Sequence, residues 1–219
     1  MNICINIYGQ QRNLDNTIKT INQIIDNTNK FTILYTGWNH EEMLFEKYFP
    51  NSYVNRIEKN NKIIEEYKDK YNFIKIDQTN KHKSLEHIIT GFFIKSKSIN
   101  TINNYMKTNN IIFDLIITIR TDTIIYYNTK VNFNEVSSLS KVYICKERDF
   151  NHYKQGACND VFVMSNYNNM VKILNQIEYL DKVTLNDNIT FHPETSFYKY
   201  LNVVNKFNIF RLNLTVHVN

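Results

Sequence analysis

Two periods of hydrophobic residues alternate along the first half of the chain. Short apolar runs rich in β-branched residues predict strands at residues 2–8, 31–36 and 73–76, and a fourth run begins at Phe113 and leads to Arg120. Between these runs, apolar residues recur at spacings of three and four over residues 14–25, 41–49, 59–67 and 84–106, which predicts helices. Strands and helices that alternate in this order form an α/β fold, with a mostly parallel sheet and helices on both of its faces.

The second half of the chain has a less regular pattern. It predicts strands at residues 141–145 and 160–165, helices at 168–179 and 195–202, and one or two closing strands within 207–218. The pattern contains no internal repeat and no second hydrophobic core. We therefore expect residues 1–219 to form a single domain.

Composition agrees with a folded domain that has no membrane span. Hydrophobic residues make up 42% of the chain and charged residues 21%, and no apolar run approaches the length of roughly 18 residues that spans a bilayer. The net charge of +5 fits either a solvated lysine-rich surface or an anionic partner. The three cysteines are widely spaced, which indicates a reducing compartment and predicts a cytoplasmic protein.

The fourth apolar run ends in a cation and an anion, Arg120 and Asp122. Ligands of α/β sheets bind just outside the carboxyl ends of the strands. A guanidinium suits a phosphate, and a carboxylate suits a divalent metal that bridges phosphates. The pair therefore predicts a nucleotide diphosphate site, with a salt bridge at a strand end as the alternative.

The first strand also ends in residues suited to a phosphate. Tyr8 closes the strand, Gly9 allows a tight turn, and Arg12 follows at the start of a helix, where backbone amides and the helix dipole favour anions. The alternative is an ordinary turn followed by a surface arginine. A basic turn ending at Lys83 precedes the long helix, and it either contacts a phosphate or is solvated.

Two acidic residues are candidates for proton transfer. Asp160 stands before an apolar strand, where it could act as a general base or cap a turn. Glu194 follows His192 and Pro193, and this short motif suits either acid–base and metal chemistry or the first turn of a helix. Asp77 ends the predicted third strand.

Taken in order, these motifs resemble the small GT-A-type nucleotide-sugar glycosyltransferases of large DNA viruses and of bacterial and algal glycan clusters. The resemblance rests on five segments spread over nearly the whole chain: Gly9 to Arg12, Trp38, Phe113 to Asp122, Asp160 to Met170, and Pro193 with Glu194. It implies a single Rossmann-like GT-A domain, with residues 1–122 as the nucleotide-binding half and 123–219 as the acceptor-binding half.

The resemblance also implies an activity and a set of roles. The enzyme would transfer a sugar from a nucleotide-diphosphate donor, expected to be a UDP-sugar, to a glycan or glycoprotein acceptor, with Mn²⁺ or Mg²⁺ as cofactor. The donor-binding residues would be Tyr8, Gly9, Arg12, Asp77, Lys83 and Arg120. Asp122 and His192 would hold the metal, with His217 in reserve, and Asp160 or Glu194 would be catalytic. If the source is viral, the compartment would be the host cytoplasm.

One departure from the family pattern concerns the metal. The usual motif is Asp-x-Asp, whereas this chain has Arg120 at the first position and Asp122 at the second. Two other functions stay open: a non-catalytic module that binds nucleotide or glycan, and a nucleic-acid-binding protein. The second is disfavoured because the basic residues are dispersed and form no recognised nucleic-acid motif, so we expect no nucleic-acid partner.

Overall fold

A computed structural model describes residues 1–11, 14–39, 44–74, 84–125, 130–145, 160–184, 191, 193–214 and 216–218, the side chains of residues 184, 217 and 218 excepted. Its strands are β1 (Asn2–Tyr8), β2 (Lys30–Trp38), β3 (Tyr53–Ile57), β4 (Leu115–Arg120), β5 (Thr123–Ile125), β6 (Val142–Cys145), β7 (Phe162–Ser165), β8 (Ile209–Leu212) and β9 (Val216–Val218). Its α-helices are α1 (Leu14–Ile24), α2 (Leu44–Tyr48), α3 (Asn61–Lys70), α4 (Leu85–Asn109), α5 (Tyr167–Leu174), α6 (Leu180–Thr184) and α7 (Pro193–Lys199).

Seven strands form one sheet in the order β3-β2-β1-β4-β7-β6-β8. β3, β2, β1 and β4 are parallel, β7 is antiparallel to both of its neighbours, and β8 is parallel to β6. A single reversed strand therefore interrupts an otherwise parallel sheet, which confirms the predicted α/β class. β5 and β9 pair separately as an antiparallel ribbon.

Helices cover both faces of the sheet, as predicted. In β1, Ile3, Ile5 and Ile7 point to one face, where they pack in a core with residues of α1 and α2. Cys4 and Tyr8 point to the other face, in a core shared with α3, α4, α5 and α7. This alternation follows from the two-residue period of a strand, and every position after Asn2 is buried, so both faces of β1 are mostly apolar.

The long helix α4 has a defined beginning and end. The Ser84 side chain accepts a hydrogen bond from the His87 backbone N–H at the N-cap, and Asn110 adopts a left-handed conformation, with φ of 51°, at the C-cap. Polar contacts join the middle of α4 to the sheet: the hydroxyls of Thr36 and Thr101 are 2.7 Å apart, and Asn55 Nδ2 donates to Thr101 Oγ1 over 2.9 Å. These bonds fix the position of α4 across β2 and β3.

The predicted third strand was misplaced. Phe73 and Ile74 lie in the turn that follows α3, and residues 75 and 76 lie outside the described residues. The third parallel strand is β3, which pairs with β2 at the edge of the sheet. Its five residues are all half-buried, so an edge position tolerates the polar Asn55 and Arg56 that interrupt the apolar pattern.

Smaller differences concern element boundaries. The predicted helix over residues 168–179 is α5 followed by a 3₁₀-helix, Asn175–Tyr179. The predicted helix at 195–202 begins earlier, at Pro193, and α7 continues into a π-helical turn, Tyr200–Val204. β5 was not predicted because three residues are too few to show a period. Within the described residues, no helix combines the length and apolar character needed to cross a bilayer.

The central position of β4 predicts a large cost for truncating its core side chains. Ile117 is fully buried in the middle of β4, and we expect Ile117→Ala to lower the free energy of unfolding by about 2–5 kcal/mol. Ile112→Ala is the matched control, because Ile112 is 76% exposed just before the same strand, and its effect should stay within about 0.5 kcal/mol. Urea denaturation measures both variants, and equal effects would contradict the assignment of β4 to the core.

Candidate functional site

The turns that follow β1 and β4 lie side by side at the carboxyl edge of the sheet. Tyr8 and Arg120 are partners in the parallel register of these strands, and Thr121 N donates to Tyr8 O over 3.1 Å. Gly9 has a φ of +115°, and a Cβ there would lie 3.2 Å from Thr121 Oγ1. The turn after β1 therefore needs glycine both for its conformation and for its close approach to the turn after β4.

Arg120 and Asp122 form a two-pronged ion pair. Arg120 Nε donates to Asp122 Oδ1 over 2.5 Å, and Arg120 Nη2 donates to Asp122 Oδ2 over 3.0 Å. The Arg120 side chain is 35% exposed and the Asp122 side chain 15%. Burial lowers the pKa of the Arg120 guanidinium, but the hydrogen bond and charge of Asp122 raise this pKa by a larger amount. The group therefore stays cationic.

A cleft of about 470 Å³ opens along this edge, within the range of roughly 300–1,000 Å³ that is usual for small-ligand sites. Its walls come from the end of β1 and its turn, from Trp38 at the end of β2, from one face of α4, and from Arg120 to Asp122. A smaller cavity of about 180 Å³ adjoins it. The two share Tyr8, His87, Gly91 and Arg120.

One stripe of α4 faces both spaces. His87, Gly91 and Lys95 follow each other at a spacing of four, so they lie on the same side of the helix. A Cβ on Gly91 would meet no atom within 4 Å, which means that this glycine leaves open space at the wall of the cleft. Lys95 is only 2% exposed, and its Nζ lies 4.6 Å from the centre of the Phe197 ring.

Gly91 and Lys95 were not predicted as site residues, although each has a recognisable signal in the sequence. Gly91 is an isolated glycine inside a 25-residue helix, where it costs stability unless its small size is needed. Lys95 continues the buried stripe of Phe92 and Ile102 at helical spacing. A lysine at such a position is unusual, because lysine is rarely fully buried without a polar reason.

Asp160 reaches the same edge because β7 is reversed. β7 begins beside the end of β4, with Phe162 paired to Ile119. Asp160 stands two residues before Phe162, in the wall of the smaller cavity. Burial raises the pKa of the Asp160 carboxyl, Lys95 and Arg120 lower it, and Glu194 raises it again, leaving it above its ordinary value. Buried carboxyls with a raised pKa are candidates for proton transfer.

The predicted site residues that the structure describes come together at this edge. Tyr8, Gly9, Arg120 and Asp122 line the cleft of about 470 Å³. Asp160 lines the smaller cavity beside Pro193, and Glu194, on α7, acts electrostatically on Asp160. Arg12, Asp77, Lys83 and His192 lie outside the described residues, as does the side chain of His217, and their roles stay predictions.

The described residues do not by themselves fit a divalent metal. Both carboxylate oxygens of Asp122 accept hydrogen bonds from Arg120. Over the described ranges, no three His, Cys, Asp or Glu residues cluster as metal ligands. The cation that contacts Asp122 in this structure is the Arg120 guanidinium. The two residues thus form the strand-end salt bridge that was the alternative prediction from the sequence.

A larger cleft of about 590 Å³ lies elsewhere, between α3, α4 and the 3₁₀-helix Asn175–Tyr179. Helix residues alone form its walls, and it contains none of the predicted site residues. Its ionic groups also contact each other, since Glu178 accepts from Tyr67 and pairs with Lys70 at 3.2 Å. The carboxyl edge is therefore the better candidate site.

Solved glycosyltransferases share this architecture. A structure of an active-site mutant of LgtC matches with a TM-score of 0.58 and 10% identity, over 96% of this chain and 72% of LgtC. GlyE from Streptococcus pneumoniae TIGR4 matches with a TM-score of 0.48 and 11% identity, over 96% of this chain and 45% of GlyE. PcManGT, a mannosyltransferase from Pyrobaculum calidifontis solved with GDP-Man and Mn²⁺, matches with a TM-score of 0.44 and 6% identity, over 96% of this chain and 54% of PcManGT.

The match to LgtC shows that the chain has the GT-A fold of that glycosyltransferase. It is a likeness of fold, because the sequence identity is low. No protein-family model matches the chain, and no curated protein is significantly similar to it in sequence. The chain spans less than half of GlyE.

The raised pKa of Asp160 predicts that its carboxylate weakens the fold at neutral pH. The unfolded chain releases this proton near pH 3.9, whereas the folded protein retains it to a higher pH. The stability that depends on Asp160 therefore falls as the pH rises from about 4 through the folded pKa and is constant above it. We expect Asp160→Asn to raise the free energy of unfolding at pH 7 and to lose this advantage near pH 4.

Urea denaturation at both pH values measures this difference. Asp69→Asn is the control, because Asp69 is an exposed residue of α3, and its effect should be small at both pH values. A larger loss of stability in Asp160→Asn at pH 7 than at pH 4 would show instead that the attraction of Lys95 and Arg120 for the carboxylate outweighs its burial.

Proposed function

We propose that the protein is a glycosyltransferase that moves a sugar from a nucleotide diphosphate donor to a hydroxyl group of a glycan or glycoprotein acceptor. The observation that carries the proposal is the position of Arg120, whose side chain borders both the cleft and the smaller cavity that Asp160 lines. A phosphate-binding cation and a buried carboxylate thus face one connected space at the carboxyl edge of a GT-A sheet. UDP-sugars are the leading donors to test, and kinship with viral enzymes stays a prediction.

The two connected spaces suit the two parts of a nucleotide sugar. The cleft of about 470 Å³ would take the nucleotide, with Trp38 in its wall and the diphosphate at Arg120. The smaller cavity would then receive the sugar next to Lys95 and Asp160. In this arrangement the reacting carbon lies between the guanidinium, which stabilises the departing diphosphate, and the carboxylate.

Proton transfer would depend on Asp160. In an inverting reaction, Asp160 accepts the proton of the acceptor hydroxyl while the oxygen of that hydroxyl bonds to the anomeric carbon. The bond from that carbon to the diphosphate breaks, and its electron pair leaves with the diphosphate beside Arg120. A raised pKa makes Asp160 a stronger base than an exposed aspartate. Glu194 is the second candidate for this role, and the divalent metal stays a prediction that no step here requires.

Turnover separates an enzyme from a binding module. Wild-type protein should be screened for thermal stabilisation by UDP-, GDP- and other nucleotide sugars, and each hit tested for transfer or donor hydrolysis by NMR. We expect Asp160→Asn to reduce turnover by roughly 100-fold or more, as for a lost general base, and to retain donor binding. Asp69→Asn should leave both unchanged. Tight donor binding without turnover in the wild type would favour the non-catalytic module, and no binding would contradict the proposal.

The open space at Gly91 gives a second test of the site. Because glycine disfavours helix, Gly91→Ala should stabilise the protein by about 1 kcal/mol. A single methyl group meets no neighbouring atom, so donor affinity should change little. Gly91→Leu should also stabilise α4, but it would fill the cleft and weaken donor binding by roughly tenfold or more. Thermal unfolding and calorimetric titration measure the two effects, and unchanged donor affinity in Gly91→Leu would exclude a ligand at this wall.

A further inference from the structure

The donor site carries a fixed positive charge where a metal-dependent site would carry a carboxylate. Arg120 ends β4, and Asp122 follows two residues later. A divalent ion held by Asp122 would have to displace the guanidinium or share the carboxylate oxygens with it. The ion would then lie beside another cation, and like charges at short distance repel. The Arg120–Asp122 pair thus opposes metal binding at the place where the family pattern expects it.

The geometry of Arg120 suits direct contact with a diphosphate. Its Nε and Nη2 are used by Asp122, and among the described residues Nη1 has no hydrogen-bond acceptor. A guanidinium has five N–H donors in a planar fork and can hold a carboxylate on one edge and phosphate oxygens on the other. The Arg120 side chain is 35% exposed and borders both the cleft and the smaller cavity.

The surroundings of Arg120 hold it in place for this contact. Asp122 fixes the orientation of the guanidinium through two hydrogen bonds. The Arg120 backbone N–H lies 3.2 Å from Thr123 Oγ1 and 3.3 Å from Val161 O, which secures the end of β4. Lys95 adds a second cationic group nearby, since Lys95 and Arg120 both line the smaller cavity.

We propose that Arg120, oriented by Asp122, binds the donor diphosphate in place of a divalent metal, so that donor binding is independent of metal. This inference rests on the proposed function, because it concerns the donor of that reaction. Asp122 is then a positioning residue that acts through Arg120 rather than a metal ligand.

The first test uses wild-type protein and therefore does not depend on the folding of any variant. The probes are UDP, GDP, ADP, CDP and dTDP, titrated by calorimetry in excess EDTA and again in excess MnCl₂. We expect the nucleotide that binds to have affinities equal within roughly threefold in the two conditions, since a required metal would change affinity by far more than this. Binding that needs Mn²⁺ overturns the inference and leaves the proposed function intact. If no nucleotide binds in either condition, both are overturned.

The second test removes the guanidinium. Arg120→Gln should weaken binding of the same nucleotide in EDTA by roughly 10- to 100-fold, the range for a lost charge-assisted hydrogen bond. Arg211→Gln is the matched control, because Arg211 is a half-buried arginine on β8, at the edge of the sheet, and lines neither the cleft nor the smaller cavity. Its nucleotide affinity should equal that of the wild type. Equal losses in the two variants would overturn the assignment to Arg120.

The third test restores the family motif. Arg120→Asp places two carboxylates at positions 120 and 122, and we expect it to bind nucleotide poorly in EDTA and to regain affinity with MnCl₂. Thermal unfolding in the absence of nucleotide checks that each variant is folded. If Arg120→Asp retains wild-type affinity in EDTA, the guanidinium does not hold the diphosphate and the inference is overturned.

Discussion

The parallel pairing of β1 with β4 is the constraint on which the candidate site depends. Because the two strands end level with each other, the turns that follow them meet at one edge of the sheet. Hydrogen bonds continue beyond the strands: Thr121 Oγ1 donates to Gln10 O, and Thr17 Oγ1 donates to Thr121 O over 2.6 Å. Each such bond contributes only about 1 kcal/mol to stability. Their importance is geometric, since they hold Arg120 and Gly9 at fixed positions beside the cleft.

The electrostatics of the site reflect a conflict between stability and chemistry. Asp160 is buried beside Glu194, and its raised pKa means that the folded protein tolerates the carboxylate less well than water does. Two cations, Lys95 and Arg120, reduce this cost without removing it. Such an arrangement is of little use for folding alone, which is why it points to function.

The sequence predicted the central part of the fold because the central strands are buried on both faces. β1, β2 and β4 are rich in apolar and β-branched residues, and such runs stand out whatever surrounds them. β3 did not stand out, since an edge strand needs only partial burial and admits polar residues. The reversal of β7 was also beyond the pattern, because a two-residue period carries no information about strand direction.

The candidate site was predicted where chemistry coincides with a strand end. Arg120, Asp122 and Asp160 were identified because charged residues at the limits of apolar runs are conspicuous. Gly91 and Lys95 were missed because they lie inside a helix whose apolar repeat dominates the segment. Their relation to the site is a property of how α4 crosses the sheet, and that crossing depends on contacts such as Thr36 with Thr101 that join distant parts of the chain.

The single reversed strand also has an evolutionary consequence. β6 ends and β7 begins at the site edge of the sheet, where Ile144 pairs with Val163. The connection between them therefore departs from the sheet and returns to it at that edge. The length of this connection can therefore change during evolution without altering the register of β4 and β7, the strands that present Arg120 and Asp160.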